Sequence, residues 1–163
     1  MILSTHAIIG AATASFVPTH PVLGFSIGFA SHFLLDAIPH WDYKLHSIER
    51  NHENHLEVDM HFNKKFPLDI AKISLDGLLG LLFALFLFGI PGTTLLLSAF
   101  CGAAGGMAPD ALQFAYFKWP HEPLFSLQRF HGWIHATKRI KKPLLGLSLQ
   151  ILIVLASVAL VTL

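Results

Sequence analysis

Two histidines and two aspartates lie close together where an apolar run of the sequence ends. They are His32, Asp36, His40 and Asp42, within eleven residues of the stretch SHFLLDAIPHWD. Positions 32 and 36 are four apart, so on a helix their side chains share one face, and Pro39 sets the other two just past the helix end. Imidazole nitrogen together with carboxylate oxygen suits zinc, manganese or iron better than calcium or magnesium. The stretch therefore predicts half of a metal site, with a merely polar helix end as the alternative.

Further histidines and aspartates lie in or beside other apolar runs, and each has an ordinary explanation as well. They are His6, Asp76, Asp110, His131 and His135. Asp76 can pair with a lysine four residues earlier, Asp110 can stabilise the first turn of a helix, and the histidines can be polar residues of helix ends. Carboxylates inside apolar spans are nevertheless costly, and are usually paired, ion-bound or functional. Together these residues extend the predicted metal site.

The number of candidate donors suggests more than one ion. The nine side chains named above exceed the four or so ligands of a single zinc ion. Two divalent ions about 4 Å apart are a common device for hydrolysing phosphate esters. We therefore predict a divalent metal, with zinc favoured and two ions suggested, and with Asp36 and Asp110 as the catalytic carboxylates. Asp36 would bridge the ions or act as general base, and Arg129, Lys138 and Arg139 would hold the anionic headgroup of the substrate.

The composition indicates a membrane protein. Of the 163 residues, 53% are hydrophobic and only 13% are charged, whereas soluble domains carry about 25% charged residues. The net charge of +1 leaves no broad basic surface, which argues against nucleic acid as a partner. The single cysteine, Cys101, cannot form an internal disulfide, and the lack of an early lysine or arginine argues against a cleavable signal peptide.

Five apolar segments predict an all-α fold. They cover residues 3–17, 22–38, 67–90, 93–119 and 144–163. We expect an integral membrane helical bundle of about five transmembrane or re-entrant helices, in a single domain 1–163, with an interfacial amphipathic helix within 120–142. The segments 39–66 and 118–142 are predicted to be cytoplasmic. The first of them is expected to form a loop or a surface helix. Glycine and proline near Pro109 predict a break in the fourth helix.

The basic residues predict the orientation. The two long loops hold almost every lysine and arginine, whereas the short turns at 18–21 and 91–92 hold none. The positive-inside bias then predicts a multi-pass protein of the cytoplasmic (inner) membrane with its N-terminus inside. All candidate donors would share the inner leaflet, and membrane lipid is the predicted partner, with a homo-oligomer or a partner membrane subunit as further possibilities.

Several short motifs resemble a known family. Thr5-His6 at the start of an apolar helix, SHFLLDAIPHWD, GGMAPD and FHGWIH are similar to those of bacterial membrane-bound metal-dependent hydrolases. The pair His32 and Asp36 more distantly resembles the His-xxx-Asp elements of zinc-dependent phospholipase C and P1-type nucleases. The resemblance implies a small helical membrane protein with a His/Asp metal site and phosphoesterase-like activity. The chain departs from the family at 39–42, where Pro-Asp-x-Asp is usual, and at 132–135, where Arg-Gly-x-Thr-His is usual.

Three functions are compatible with these observations. The first is a metal-dependent hydrolase of a phosphate ester or phospholipid at the cytoplasmic leaflet. The second is a metal-ion transporter or sensor, and the third is a non-catalytic membrane subunit of a larger assembly. A transport path should cross the bilayer, yet the predicted outer-leaflet segments hold no acidic residue or histidine except His20. This asymmetry favours a site on one side of the membrane.

Overall fold

The computed structural model describes residues 1–50, 56, 58–136 and 139–162. Within these ranges the chain forms six helices and one two-stranded antiparallel sheet. The helices are α1 (Leu3–Ala14), α2 (Pro21–Asp36), α3 (Phe66–Phe88), α4 (Thr94–Lys118), α5 (Leu124–Ile134) and α6 (Pro143–Thr162), and the strands are β1 (Ile48–Arg50) and β2 (Val58–Met60). The predicted helical fold is confirmed, and the helix bounds follow the apolar runs of the sequence.

Three of the described helices are long and apolar enough to cross a membrane. They are α3, α4 and the α6 segment Pro143–Val161, with mean hydropathies of 2.0, 1.4 and 2.6. The 16 residues of α2 are apolar but shorter, and α1 has 12 residues. These three helices indicate a membrane protein, whereas a bundle of five spans stays a prediction.

The fourth helix is continuous, so the predicted break at Pro109 is wrong. Proline has no N–H, so the carbonyl of Gly105 lacks its usual helical donor, yet α4 runs from Thr94 to Lys118 with Pro109 buried inside it. A proline is tolerated in such a helix when neighbouring helices support the backbone around it. The backbone of α2 lies against α4 there, because a Cβ at Gly105 would overlap the carbonyl oxygen of Phe25.

Helices α1, α2 and α4 pack with their backbones almost in contact. A Cβ at Gly10 on α1 or at Gly28 on α2 would overlap the carbonyl oxygen of Gly102 on α4. Small residues at such positions let membrane helices approach closely. The close approach brings the start of α1 beside the end of α2, at the side predicted to be cytoplasmic. The rings of His6 and His32 stack there, with centroids 3.9 Å apart.

The segment between α2 and α3 contains no helix in its described part and instead forms the β1–β2 hairpin. Asp69, a buried residue near the start of α3, holds this segment. Its carboxylate accepts hydrogen bonds from the backbone N–H of Ser47 at 2.7 Å and from the Ser47 hydroxyl at 2.8 Å. Lys118 at the end of α4 donates to Asp59 in β2 of the hairpin at 2.6 Å. The loop thus packs at the same end of the bundle as the candidate donors.

Candidate metal centre

His32 is oriented by the backbone of α4. Its Nδ1 lies 2.7 Å from the carbonyl oxygen of Gly106, so Nδ1 must carry the proton and donate it. In the neutral ring, Nε2 then has only a lone pair, which is the form that binds a metal ion. Hydrogen bonds of this kind fix the tautomer and the ring direction of metal-binding histidines.

The Nε2 atom of His32 faces three other donor atoms. Asp36 Oδ2 lies 3.2 Å away, His131 Nε2 3.3 Å and Asp110 Oδ1 3.7 Å, and His131 Nε2 lies 3.0 Å from Asp36 Oδ2. The ligand atoms of these four residues all lie within 4.8 Å of one another. Donors bound tetrahedrally at about 2.0–2.1 Å from zinc stand about 3.3 Å apart. The four residues can therefore hold a metal ion.

A second group shares Asp36 with the first and adds His40 and His135. His40 Nε2 lies 3.7 Å from Asp36 Oδ1, and His135 Nε2 lies 3.8 Å from Asp36 Oδ2. His40 Nδ1 donates to the carbonyl of Ile38 at 2.7 Å, which again leaves a lone pair on Nε2. Burial lowers the pKa of His135 and so favours its neutral, ligand form.

His6 is fully buried beside both groups. Its Nε2 lies 3.2 Å from Asp36 Oδ1, but the geometry is not that of a hydrogen bond, and neither ring nitrogen has a hydrogen-bond partner among the described residues. The same holds for His40 Nε2, although it lies 3.4 Å from Asp42 Oδ2. Buried nitrogen atoms without hydrogen bonds are rare and costly. A cation between these nitrogens and the carboxylates would satisfy both.

Asp42 lies at the accessible edge of this region. The N-terminal nitrogen of Met1 lies 2.8 Å from Asp36 Oδ1 and 3.0 Å from Asp42 Oδ1. Burial alone would raise the pKa of Asp42, but His40 and the Met1 nitrogen together hold it well below its usual value. The residues that the structure brings together, called the His/Asp cluster below, are His6, His32, Asp36, His40, Asp42, Asp110, His131 and His135.

Asp76 does not join the His/Asp cluster. Its Oδ2 accepts hydrogen bonds from the backbone N–H of Leu3 at 2.7 Å and from the Tyr43 hydroxyl at 3.2 Å, and its Oδ1 accepts from the N–H of Ser4 at 3.3 Å. The first turn of α1 has no side-chain cap of its own, and a helix start leaves backbone donors without partners. Asp76 supplies acceptors for them from α3, so its carboxylate has a structural role.

The predicted headgroup residues differ in their placement. Arg139 Nη1 lies 3.8 Å from Asp42 Oδ2, with its side chain 46% exposed. Arg129 is an exposed residue of α5, and Lys138 lies outside the described residues. Of the two described members of this set, Arg139 is the one that contacts the His/Asp cluster.

Two buried glutamines, Gln128 and Gln150, connect the elements of the site and were not among the predicted residues. Gln150 on α6 accepts from the Thr5 hydroxyl at 3.1 Å and donates to the Trp41 carbonyl at 2.9 Å. Gln113 on α4 donates to Gln128 on α5 at 3.1 Å. A single polar residue within an apolar helix, such as Gln150, was the available signal, because its amide needs partners in hydrocarbon.

The chain matches no family model, no curated protein and no solved structure. The chemistry of the His/Asp cluster is therefore inferred from its own donors, distances and burial.

Proposed function

We propose that the protein is a membrane-embedded metal-dependent hydrolase of phosphate esters. One observation carries the proposal. The Nε2 lone pair of His32 faces the carboxylates of Asp36 and Asp110 and a second imidazole, at 3.2–3.7 Å. A lone pair cannot hydrogen-bond to a carboxylate. A cation would satisfy the two imidazoles and the carboxylates at once, whereas a proton on His131 Nε2 would connect only His131 with His32 and Asp36. The resemblance to bacterial membrane-bound metal-dependent hydrolases supports the same conclusion.

Zinc is the ion that we propose for the first group. The imidazoles of His32 and His131 and the carboxylate of Asp36 match the ligand types and spacing of zinc, and they would leave the fourth tetrahedral position, beside Asp110, for water. Calcium and magnesium prefer oxygen donors alone.

We also propose a second ion, because the two oxygens of Asp36 face different donors. Oδ2 lies against His32 and His131, whereas Oδ1 lies against His6, His40 and the Met1 nitrogen, which a second ion would displace. Asp36 would then bridge two ions, as in two-metal phosphoesterases.

The accessible edge of the His/Asp cluster suits proton transfer and substrate binding. The side chain of Asp110 is 35% exposed, whereas that of Asp36 is 2% exposed, so Asp36 acts as a ligand and Asp110 accepts the proton of the attacking water. A divalent ion held there supplies Lewis acidity, activating water and polarising a phosphoryl oxygen. The water oxygen bonds to phosphorus, the ester P–O bond breaks, and the proton on Asp110 passes to the departing alcohol. Arg139, with Arg129 and Lys138, would neutralise the remaining phosphate charge.

The location that we propose follows from the distribution of positive charge. Every lysine and arginine of the chain lies within residues 44–72 or 118–142, and the described parts of these two segments lie around the end of the bundle that carries the His/Asp cluster. By the positive-inside bias this end is cytoplasmic, which puts the N-terminus inside and the site at the inner leaflet of the cytoplasmic membrane. A phosphodiester or phosphomonoester of a membrane lipid is the substrate that reaches such a site most directly.

The test compares metal content and hydrolysis in matched variants of the purified protein. The parent is expected to contain zinc, His32→Ala and Asp36→Asn to lose it, and His61→Ala to keep it, because His61 is an exposed histidine outside the His/Asp cluster. Hydrolysis of p-nitrophenyl phosphate and of a phospholipid panel should be lost with the metal and also in Asp110→Asn.

The opposite results would overturn the proposal. A parent protein without bound metal after purification with zinc present would identify the cluster as a proton-shared polar network. Hydrolysis that survives Asp36→Asn would exclude the catalytic assignment. Zinc uptake into sealed vesicles, without phosphate release, would replace the hydrolase by a transporter.

A further inference from the structure

Helix α5 has a polar inner face and an aromatic outer face. Gln128 and His131, three residues apart, are 6% and 3% exposed, whereas Phe130 and Trp133, also three apart, are 41% and 79% exposed. A surface helix of a water-soluble protein has the reverse arrangement. With 11 residues, α5 is too short to span a bilayer. Its outer face therefore fits the boundary between headgroups and acyl chains, where aromatic rings accumulate.

Exposed positive charges flank this aromatic face. Arg129 lies on α5 itself, and Arg139, Lys141 and Lys142 follow it before α6 begins. Trp119, at the end of the membrane-spanning helix α4, is 64% exposed and indicates the same interfacial level. Basic residues beside a membrane helix are attracted to anionic lipid headgroups, each by roughly 1 kcal/mol near the surface. The charge and the aromatic rings together specify one partner, an anionic lipid surface.

Helix α5 contributes His131 to the His/Asp cluster and is held against α2 and α4 by side chains of both its faces. Gln128 accepts one hydrogen bond from Gln113 on α4, and the Phe130 ring meets Phe33 on α2 with centroids 4.9 Å apart. The ring of His131 also meets Phe33, with centroids 5.4 Å apart, and just past α5 the N–H of Ala136 donates to the carbonyl of Asp36 at 2.8 Å. Metal ligands must be placed within about 0.2 Å of their ideal distances, so a small displacement of α5 would remove His131 from the coordination geometry.

We infer that anionic lipid headgroups dock on the outer face of α5 and on the basic segment 139–142, and that this docking holds His131 in the metal site. The inference rests on the proposed metal site but not on hydrolysis. By linkage, the lipid and the metal ion each strengthen binding of the other by the same factor. The anionic lipid would therefore regulate metal binding, in addition to being the environment in which α5 lies.

The first experiment measures Co²⁺ affinity, by the visible absorption of the bound ion, in nanodiscs of phosphatidylcholine with and without phosphatidylglycerol. The variant Lys141→Gln/Lys142→Gln is compared with the matched control Lys64→Gln/Lys65→Gln, another exposed basic pair next to the start of a membrane helix. A negative lipid surface concentrates Co²⁺ equally for all proteins, so only differences between proteins in the same nanodisc count. In phosphatidylglycerol, the first variant should bind Co²⁺ about tenfold more weakly than the parent, and the control should match the parent.

The second experiment measures docking directly. A spin label at Trp133→Cys, in a Cys101→Ala background, should be more accessible to oxygen than to a water-soluble nickel complex, and more so when phosphatidylglycerol is present. A label that is equally water-accessible in both lipids would overturn the inference, as would equal Co²⁺ affinity of the two double variants. Lipid-dependent Co²⁺ binding without any phosphoester hydrolysis would leave the inference intact and overturn the hydrolase instead.

Discussion

The substitution Gly106→Ala tests whether the contact between α1 and α4 sets the geometry of the metal site. A Cβ at Gly106 would overlap the carbonyl oxygen of His6 and lie 3.0 Å from its carbonyl carbon. These are backbone atoms of α1 and cannot rotate away, so the two helices must separate by several tenths of an ångström. The carbonyl of Gly106 also holds Nδ1 of His32 at 2.7 Å, so the displacement moves two histidines of the His/Asp cluster at once.

The expected magnitude combines two opposing effects. Overpacking costs about 1–3 kcal/mol, and replacing a helical glycine by alanine returns about 0.5–1 kcal/mol. We expect the free energy of unfolding to fall by at most about 2.5 kcal/mol, and zinc affinity to fall about 10- to 100-fold because the hydrogen bond that orients His32 is disturbed.

Gly132→Ala is the matched control for this substitution. Gly132 lies on α5, where a Cβ would meet no atom within 4 Å, so the variant should be as stable as the parent or about 0.5–1 kcal/mol more stable. Reversible unfolding in detergent micelles gives the free energies, and competition with a coloured chelator gives the zinc affinities. If Gly106→Ala is as stable as Gly132→Ala and binds zinc equally well, the close contact does not position the site and the reasoning is refuted.

Three further substitutions separate structural from metal-binding roles. Asp76→Asn should lower the free energy of unfolding by about 0.5–2 kcal/mol, the usual cost of a lost helix cap. Elemental analysis should find the same zinc content as in the parent, and a loss of zinc would contradict the placement of Asp76 outside the His/Asp cluster. Gln128→Leu removes the acceptor for Gln113 and should weaken zinc binding by roughly tenfold, with the helix content measured by circular dichroism unchanged. An unchanged zinc affinity would show that the hydrogen bond between Gln113 and Gln128 does not position the metal site. Lys118→Met removes the hydrogen bond that lowers the pKa of the partly exposed Asp59, and this ion pair should contribute at most about 1 kcal/mol at pH 7. The contribution is present above the ordinary carboxyl pKa of about 4 and is lost as the pH falls below it, so the stability difference between parent and variant should shrink in acid. It should not vanish, because Lys118 also donates to the Met60 carbonyl and lies over the Phe62 ring.

The helices could be predicted from the sequence because each is a local feature. An apolar run of sufficient length must be helical in a bilayer, since every backbone group needs an internal partner there. Prolines and glycines between the runs gave the bounds to within a few residues. The break predicted at Pro109 is wrong: α4 continues through it, packed closely against α2 at Phe25, a residue distant in the sequence and adjacent only in the fold.

The sequence by itself determined which side chains were available as donors and that they lie at one end of the apolar runs. It could not determine which donors meet. Asp76 and Asp110 both lie in apolar helices, yet Asp110 faces His32 at 3.7 Å, whereas Asp76 accepts the backbone N–H groups at the start of α1. Only the tertiary structure decided between them, because the distance at which glycine-rich backbones pack, and the rotation of each helix about its axis, fix whether a carboxylate reaches an imidazole or an uncapped helix end.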